Sequence, residues 1–301
     1  MGYHSPVLLK ESVNGLNINP KGIYVDVTFG GGGHSKSILE RLDGGKLFAF
    51  DQDSYAFANK FELTGFKLIY ANFRYIKNFL KMEGVVKIDG LLADLGVSSH
   101  QLDVPERGFS IRFDAELDMR MDIKSGISAK DIIREYSEEE LVRVFYDYGE
   151  LRNSRRIASK IIESRQVSEI NTTGDLINLI SCLVPARSRN KFLARVFQAI
   201  RIEVNDEIGA LKDLLLSAEE LLNPEGRLVV LSYHSLEDRL VKNFLKKGNF
   251  QGVLQKDFFG NPIKRIKEIN TKVIIASDIE VKRNPRARSA KLRIAEKLHE
   301  A

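Results

Sequence analysis

Tryptophan is absent from this 301-residue chain, and cysteine occurs once, at Cys182. A single thiol excludes an internal disulfide, and among apolar neighbours Cys182 reads as a buried small residue. Without Trp, any stacking on a base falls to Phe, Tyr, His or Arg. The five histidines, His4, His34, His100, His234 and His299, lack ligand spacing, so no metal site is expected. No apolar run approaches the length needed to cross a bilayer, which argues against a membrane partner. The segment Met1-Gly2-Tyr3-His4-Ser5-Pro6 carries no basic-then-apolar signal, and Pro6 spoils a myristoylation pattern; a cytoplasmic location is expected.

What the chain does hold is a strong asymmetry of charge. Net charge is +5, yet residues 239–301 carry 16 Lys+Arg against 6 Asp+Glu, leaving the rest of the chain acidic. Residues 152–201 add ten basic residues against three acidic ones, among them Arg152, Arg155, Arg156, Arg187, Arg189 and Arg195. Such clustering fits a polyanionic partner, and equally fits a solvated lysine-rich tail.

The most informative stretch is Val25-Asp26-Val27-Thr28-Phe29-Gly30-Gly31-Gly32-Gly33-His34-Ser35, followed by Phe48-Ala49-Phe50-Asp51. An apolar strand runs into four glycines and then a helical pattern, and a second strand ends in a carboxylate placed for ribose hydroxyls. The third glycine of a dinucleotide fingerprint is missing, because Ser35 or Lys36 stands there. No Gly-Lys-Ser/Thr follows either, so a P-loop is excluded. Asp26 before a glycine cluster resembles the loop of S-adenosylmethionine-dependent methyltransferases, where a sulfonium and an amino-acid tail replace the pyrophosphate. The plainer alternative is a flexible glycine turn with Asp26 merely exposed.

Strands are expected at 23–28, 46–51, 67–71 and 88–94, with a helix at 35–42; their near-continuous apolar runs fit a parallel sheet. Residues 128–185 read as helix after helix, with Ser128, Ser137 and Thr173 as caps. A long helix over 191–222 leads back to a strand at 226–233 and a helix at 236–247. Residues 272–276 and 289–296 are expected to form an antiparallel terminal pair.

Read together, several segments carry a resemblance: His4-Ser5-Pro6-Val7-Leu8-Leu9, the glycine loop, Asp94-Leu95-Gly96-Val97-Ser98-Ser99-His100-Gln101-Leu102-Asp103, Pro105-Glu106-Arg107-Gly108-Phe109-Ser110 and Leu117-Asp118-Met119-Arg120-Met121-Asp122. To these add Phe197-Gln198-Ala199-Ile200-Arg201-Ile202, Ser232-Tyr233-His234-Ser235-Leu236-Glu237-Asp238-Arg239 and Asn284-Pro285-Arg286-Ala287-Arg288-Ser289. The whole chain resembles the bacterial MraW/RsmH family, which methylates N4 of a cytidine in small-subunit ribosomal RNA. The resemblance implies an α/β fold: a class I (Rossmann-like) methyltransferase sheet over 1–105 and 191–301, interrupted by an all-helical substrate-recognition domain over 106–190. It implies S-adenosyl-L-methionine held by Gly32, Gly33, His34, Asp51, Phe73, Asp94 and Gln101. Position 31, often basic in the family, is Gly here, which bears on the loop's flexibility. The implied partner is small-subunit rRNA or the assembled subunit, with the protein a monomer or a homodimer.

Cytosine N4 is a weak nucleophile, so an acceptor near the amine is needed to localise its lone pair and take its proton. Asp94 at the fourth strand tip is the candidate, with Tyr233 and His234 after the fifth strand facing the same crevice. The Pro-Pro-aromatic motif of DNA amino-methyltransferases is absent from this tip. Asp94 as a pure cofactor contact and His234 as a structural residue are the competing readings. Phe109 and Phe113 are either an aromatic platform or core residues. Arg187 and Arg189, with Arg283, Arg286, Arg288 and the segment running to Arg293, are candidates for phosphate contacts. A nicotinamide-dependent dehydrogenase and a non-catalytic RNA-binding assembly factor are the alternative functions.

Overall fold

A computed structural model describes residues 6–124 and 126–299; His4 and Ser5 of the first motif lie outside them. The chain divides into two compact units, Met1–Gly96 with Ile208–Ala301, and Val97–Glu207.

The first unit is built on an eight-stranded sheet: β1 (Ile23–Asp26), β2 (Lys46–Asp51), β3 (Phe66–Tyr70), β4 (Ile88–Asp94), β5 (Leu222–Ser232), β6 (Ile266–Glu268), β7 (Ile274–Ile275) and β8 (Lys291–Lys297). Their order is β3-β2-β1-β4-β5-β8-β6, with β7 also on β8. The first five strands run parallel, and β8 is antiparallel to β5, β6 and β7. Strand residues alternate between two apolar layers, which is why these short runs are apolar almost throughout. Val25, Phe48, Leu91, Leu228 and Val230 pack with Leu80, Leu214 and Phe244. On the other face Tyr24, Leu47, Leu92, Val229 and Leu231 meet Val13 and Ile38. The helices supplying those layers are α1 (Leu9–Gly15), α2 (Gly33–Leu39) and α3 (Ile76–Met82) before the second unit, and two of the three that follow it.

The second unit is helical: α4 (Ser99–Asp103), α5 (Ala129–Glu135), α6 (Glu138–Asp147), α7 (Ser154–Arg165), α8 (Thr173–Ile180) and α9 (Arg189–Asn205). Its core joins Leu117, Ile132, Phe145, Ile161, Leu176 and Phe197. It starts at Val97 rather than 106, and takes in α9 through Glu207 rather than stopping at 190, because Phe192, Val196 and Ile200 of α9 belong to that core. Capping boxes open α5 from Ser128 and α6 from Ser137, as expected. For α8 the cap is Thr172, paired with Asp175; Thr173 is already inside the helix.

The expected long helix is two. Asp206 takes a left-handed conformation (φ 44°) between α9 and α10 (Glu207–Leu221), while Arg201 grips Glu207 with two bonds of 2.7 and 2.9 Å. The last two helices are α11 (Ser235–Lys247) and α12 (Asp278–Arg283). β6 has no counterpart in the sequence reading: three residues are too few for a period and are ordered by pairing with β8. Cys182 is exposed rather than buried, in a single turn of 3₁₀ helix at the end of α8. Phe109 is a core residue of the helical unit, whereas Phe113 is exposed beneath the Arg112 guanidinium.

Arg293 does not offer itself to a phosphate. It is buried on β8 and donates to Asp238 Oδ1 of α11 at 2.8 Å, with Glu268 of β6 at 3.5 Å; Lys291 adds a 2.9 Å bond to Asp238 Oδ2. Burial pushes the Asp238 carboxyl up, and the Arg293 and Lys291 bonds outweigh it and hold it below the ordinary value. Asp238→Ala strands a guanidinium in the sheet and is expected to cost about 3 kcal/mol, seen as a lower urea midpoint. An unchanged midpoint would mean that Glu268 alone holds Arg293.

Candidate active site

Strand order reverses between β1 and β4, and in open α/β sheets ligands gather at the carboxyl ends flanking such a reversal. Here β1 ends at Asp26, β2 at Asp51 and β4 at Asp94, and the glycine loop leaves β1 at the same edge. Gly32 is left-handed (φ 75°), and a Cβ on Gly33 would stand 2.1 Å from Pro6 Cγ. The loop is therefore glycine for conformation at one position and for close approach at the next.

Two of the three carboxyls are linked through Thr28, and the third holds the glycine loop. Asp26, with no exposed surface, accepts from Thr28 N–H at 3.1 Å and from the Ser35 hydroxyl at 2.6 Å. Thr28 Oγ1 in turn accepts the Asp94 amide at 2.7 Å. Asp94 Oδ1 accepts from the Tyr233 hydroxyl at 2.7 Å, and its Oδ2 faces His34 Nδ1 at 3.7 Å. Asp51 accepts the amides of Gly30 and Asp53, each at 2.8 Å, so the second strand tip holds the glycine loop directly.

Burial dominates the electrostatics. It raises Asp26 and Asp94 above the ordinary carboxyl range, against the opposing effect of His34, and pushes Asp51 up to about 6. Tyr233 is raised well above its usual value by burial and by the neighbouring Asp94. Among the described residues no Lys or Arg pairs with Asp26, Asp51 or Asp94. Acids withdrawn from water with only His34 beside them as a base suit a cation arriving from outside. Asp26 is thus neither exposed nor incidental to the turn.

One part of the site is marked in the sequence only as a motif, with no role attached to its residues. The segment Pro6-Val7-Leu8 lies over the glycine loop: the Val7 carbonyl is 3.2 Å from His34 Nε2, and Pro6 covers Gly33. Leu8 is left-handed (φ 49°), and its amide donates to Glu280 Oε1 of α12 at 2.7 Å. Glu280 therefore fixes the strap that orients His34, across a separation of 272 residues.

Other expected residues fall as follows. Phe73 opens a 3₁₀ turn directly after β3, behind Asn72, which caps the turn and bonds Gln52 at 2.8 Å. His234 caps α11 in a box with Glu237, whose carboxylate also accepts the Tyr233 amide at 2.9 Å. In the helical unit, Gln101 is buried and its side chain accepts the Ser98 amide at 2.9 Å, completing the cap of α4. Arg187, Arg189, Arg283 and Arg288 are exposed, and Arg286 is half-buried.

A doubly wound sheet closed by an antiparallel strand, with a glycine loop and following strand-tip acids at its switch point, is that of a class I methyltransferase. The chain matches the MraW methylase family over residues 1–298 and belongs to it. Ribosomal RNA small subunit methyltransferase H of Cytophaga hutchinsonii is 57% identical over 98% of this chain and 99% of that protein. The protein of the same name from Flavobacterium johnsoniae is 57% identical over 99% of each chain. Among solved structures, a putative rRNA-methylase from Clostridium thermocellum aligns over 99% of this chain and 100% of that one, at 14% identity and a TM-score of 0.44.

Gly33→Ala is expected to push Pro6 away and free the strap. Hydrogen exchange at the Leu8 amide should quicken roughly tenfold, the equivalent of one bond to a charged acceptor. Exchange as slow as in the parent would show that the strap tolerates the extra methyl.

Proposed function

We infer that this chain transfers a methyl group from S-adenosylmethionine to N4 of a cytidine in small-subunit ribosomal RNA. Its membership of the MraW methylase family over residues 1–298 supports the reaction, and the observation that carries the site is the set of strand-tip carboxyls beside the glycine loop with no Lys or Arg partner among the described residues. A pyrophosphate would be repelled there, which disfavours a nicotinamide cofactor. An assembly factor that had lost the reaction would have no need to keep three acids in an environment that raises their pKa values.

The residues fit the cofactor. Gly32 and Gly33 would let its methionine part approach the backbone, Asp51 would accept from the ribose hydroxyls, and Phe73 would lie beside the adenine. His34 and Asp94 would border the reacting end. When bound, the cofactor supplies an activated methyl on a sulfonium, and alignment with the incoming amine governs the rate. Asp94 is the residue for the amine proton. Tyr233 occupies Oδ1 and fixes the carboxylate plane, which leaves Oδ2 as the accepting atom. Burial raises its appetite for a proton, as a base in this role requires. His234 acts through the chain: by capping α11 with Glu237 it sets the backbone that carries Tyr233.

The all-helical unit is the substrate-recognition part in this reading. Arg187, Arg189, Arg283, Arg286 and Arg288 contact phosphates, so RNA affinity should fall steeply with salt. The target base must leave its stack, which looped RNA makes cheaper. The setting is the cytoplasm, on small-subunit rRNA either naked or assembled.

Mass spectrometry of small-subunit rRNA from cells with and without the gene should show one N4-methylated cytidine that disappears on deletion; an unchanged modification map would remove the proposal. Asp94→Asn, which keeps the acceptor for Tyr233, is expected to lower turnover roughly 100-fold while cofactor affinity changes far less. Full turnover in that variant would exclude Asp94 as the base. Because ribose hydroxyls donate to an ionised carboxylate, binding favours the unprotonated form of Asp51. Cofactor affinity should therefore be level above neutrality and weaken as pH falls through about 6. A calorimetric profile flat down to pH 5 would place Asp51 outside the contact.

A further inference from the structure

Two aromatic rings stand almost wholly in solvent: Phe258 is 98% exposed and Phe259 84%. They sit at the tip of a hairpin whose construction is rigid. Lys256 bridges Pro262, the Asp257 amide donates to the Asn261 carbonyl at 2.9 Å, and the Ile263 amide to the Gln255 carbonyl at 2.9 Å. Asp257 is the only acid between residues 248 and 267. Its Oδ1 accepts the Phe259 and Asn261 amides at 2.9 and 2.8 Å, and its Oδ2 accepts the Asn261 side chain at 3.2 Å. The base is pinned as well, for Asn249 bonds both the Gly252 amide and the Val253 carbonyl. The rings meet edge to face, 5.7 Å apart at 88°, so each keeps a face open.

The charges around the rings are predominantly positive. Lys256 and Arg265 are exposed, Lys264 is half-buried, and none of the three is in an ion pair among the described residues. Asp257, the one acid of the segment, is held ionised by the turn amides and offsets one of the three, which leaves a net positive charge. Open π-faces flanked by an excess of exposed cations are what a single-stranded nucleic acid binds: bases stack on the rings while phosphates meet the cations. A second copy of this chain would bring the same positive charge against itself, and residues 239–301 already carry a marked basic excess.

We propose that the Asp257–Asn261 hairpin is a stacking platform for unpaired nucleotides of the substrate RNA, with Phe258 and Phe259 taking bases and Lys256, Lys264 and Arg265 taking phosphates. This rests on the rRNA reading above and adds to it a contact surface distinct from the strand-tip site.

The test uses the full chain and a fluorescent small-subunit rRNA fragment containing the target cytidine. F258A/F259A should raise the RNA Kd roughly fivefold or more, and should raise KM for RNA while leaving kcat at saturating RNA and the cofactor Kd unchanged. F258W/F259W should restore affinity, because stacking needs an aromatic face, and F258L/F259L should not. Equal affinity of the leucine and parent proteins would overturn the stacking role. So would an unchanged RNA Kd in the alanine variant, whether that variant instead lost self-association in sedimentation or lost binding to anionic vesicles. A parent protein that neither binds nor methylates the fragment would sink the rRNA reading itself, which no hairpin variant can do.

Discussion

Three carboxyl groups are carried at the ends of adjacent parallel strands, Asp26 fully buried and Asp51 and Asp94 half-buried, and among the described residues no lysine or arginine pairs with them. Burial of an ionisable acid is unfavourable, and each here is offset only by hydrogen bonds from neighbours with no formal charge, together with His34. The arrangement therefore favours positive charge at the strand tips. A positively charged ligand is stabilised there, whereas a neutral or anionic one is not. Much of the local architecture serves to hold the three acids: Ser35 and Thr28 on Asp26, backbone amides on Asp51, Tyr233 on Asp94.

The sheet was legible because its strands are short, apolar and buried on both faces, so composition alone marks them. The strand-tip acids were legible by position, since each is the first charged residue after such a run. What escaped notice depends on tertiary pairing. β6 exists because β8 supplies hydrogen bonds to it. The break at Asp206 carries no glycine or proline; an aspartate adopts the left-handed conformation while Arg201 and Glu207 bridge the junction. Burial of Arg293 and exposure of Cys182 are likewise decided by neighbours far along the chain.

The candidate site divides along the same line. Asp51, Asp94 and the glycines announce themselves through the βαβ spacing. Glu280 does not, because its effect passes through the Leu8 amide and the Val7 carbonyl to His34, and no local pattern encodes that path. Tyr233 was placed in the crevice by topology, but its partner turns out to be the Asp94 carboxylate. The phenol is thereby a fixed element of the acid's surroundings, held there by a short hydrogen bond.

The position of β8 has a consequence for how this protein comes into being. The strand at 291–297 lies inside the sheet, between β5 and β6, although it is synthesised after every other strand of that sheet. Until it emerges from the ribosome, β5 presents an open apolar edge and neither β6 nor β7 has a partner. The helical unit, one continuous stretch, can complete its core much earlier. Nascent chains should thus pass through a stage in which the inserted bundle is native while the sheet waits, unfinished and prone to aggregation, for its closing strand.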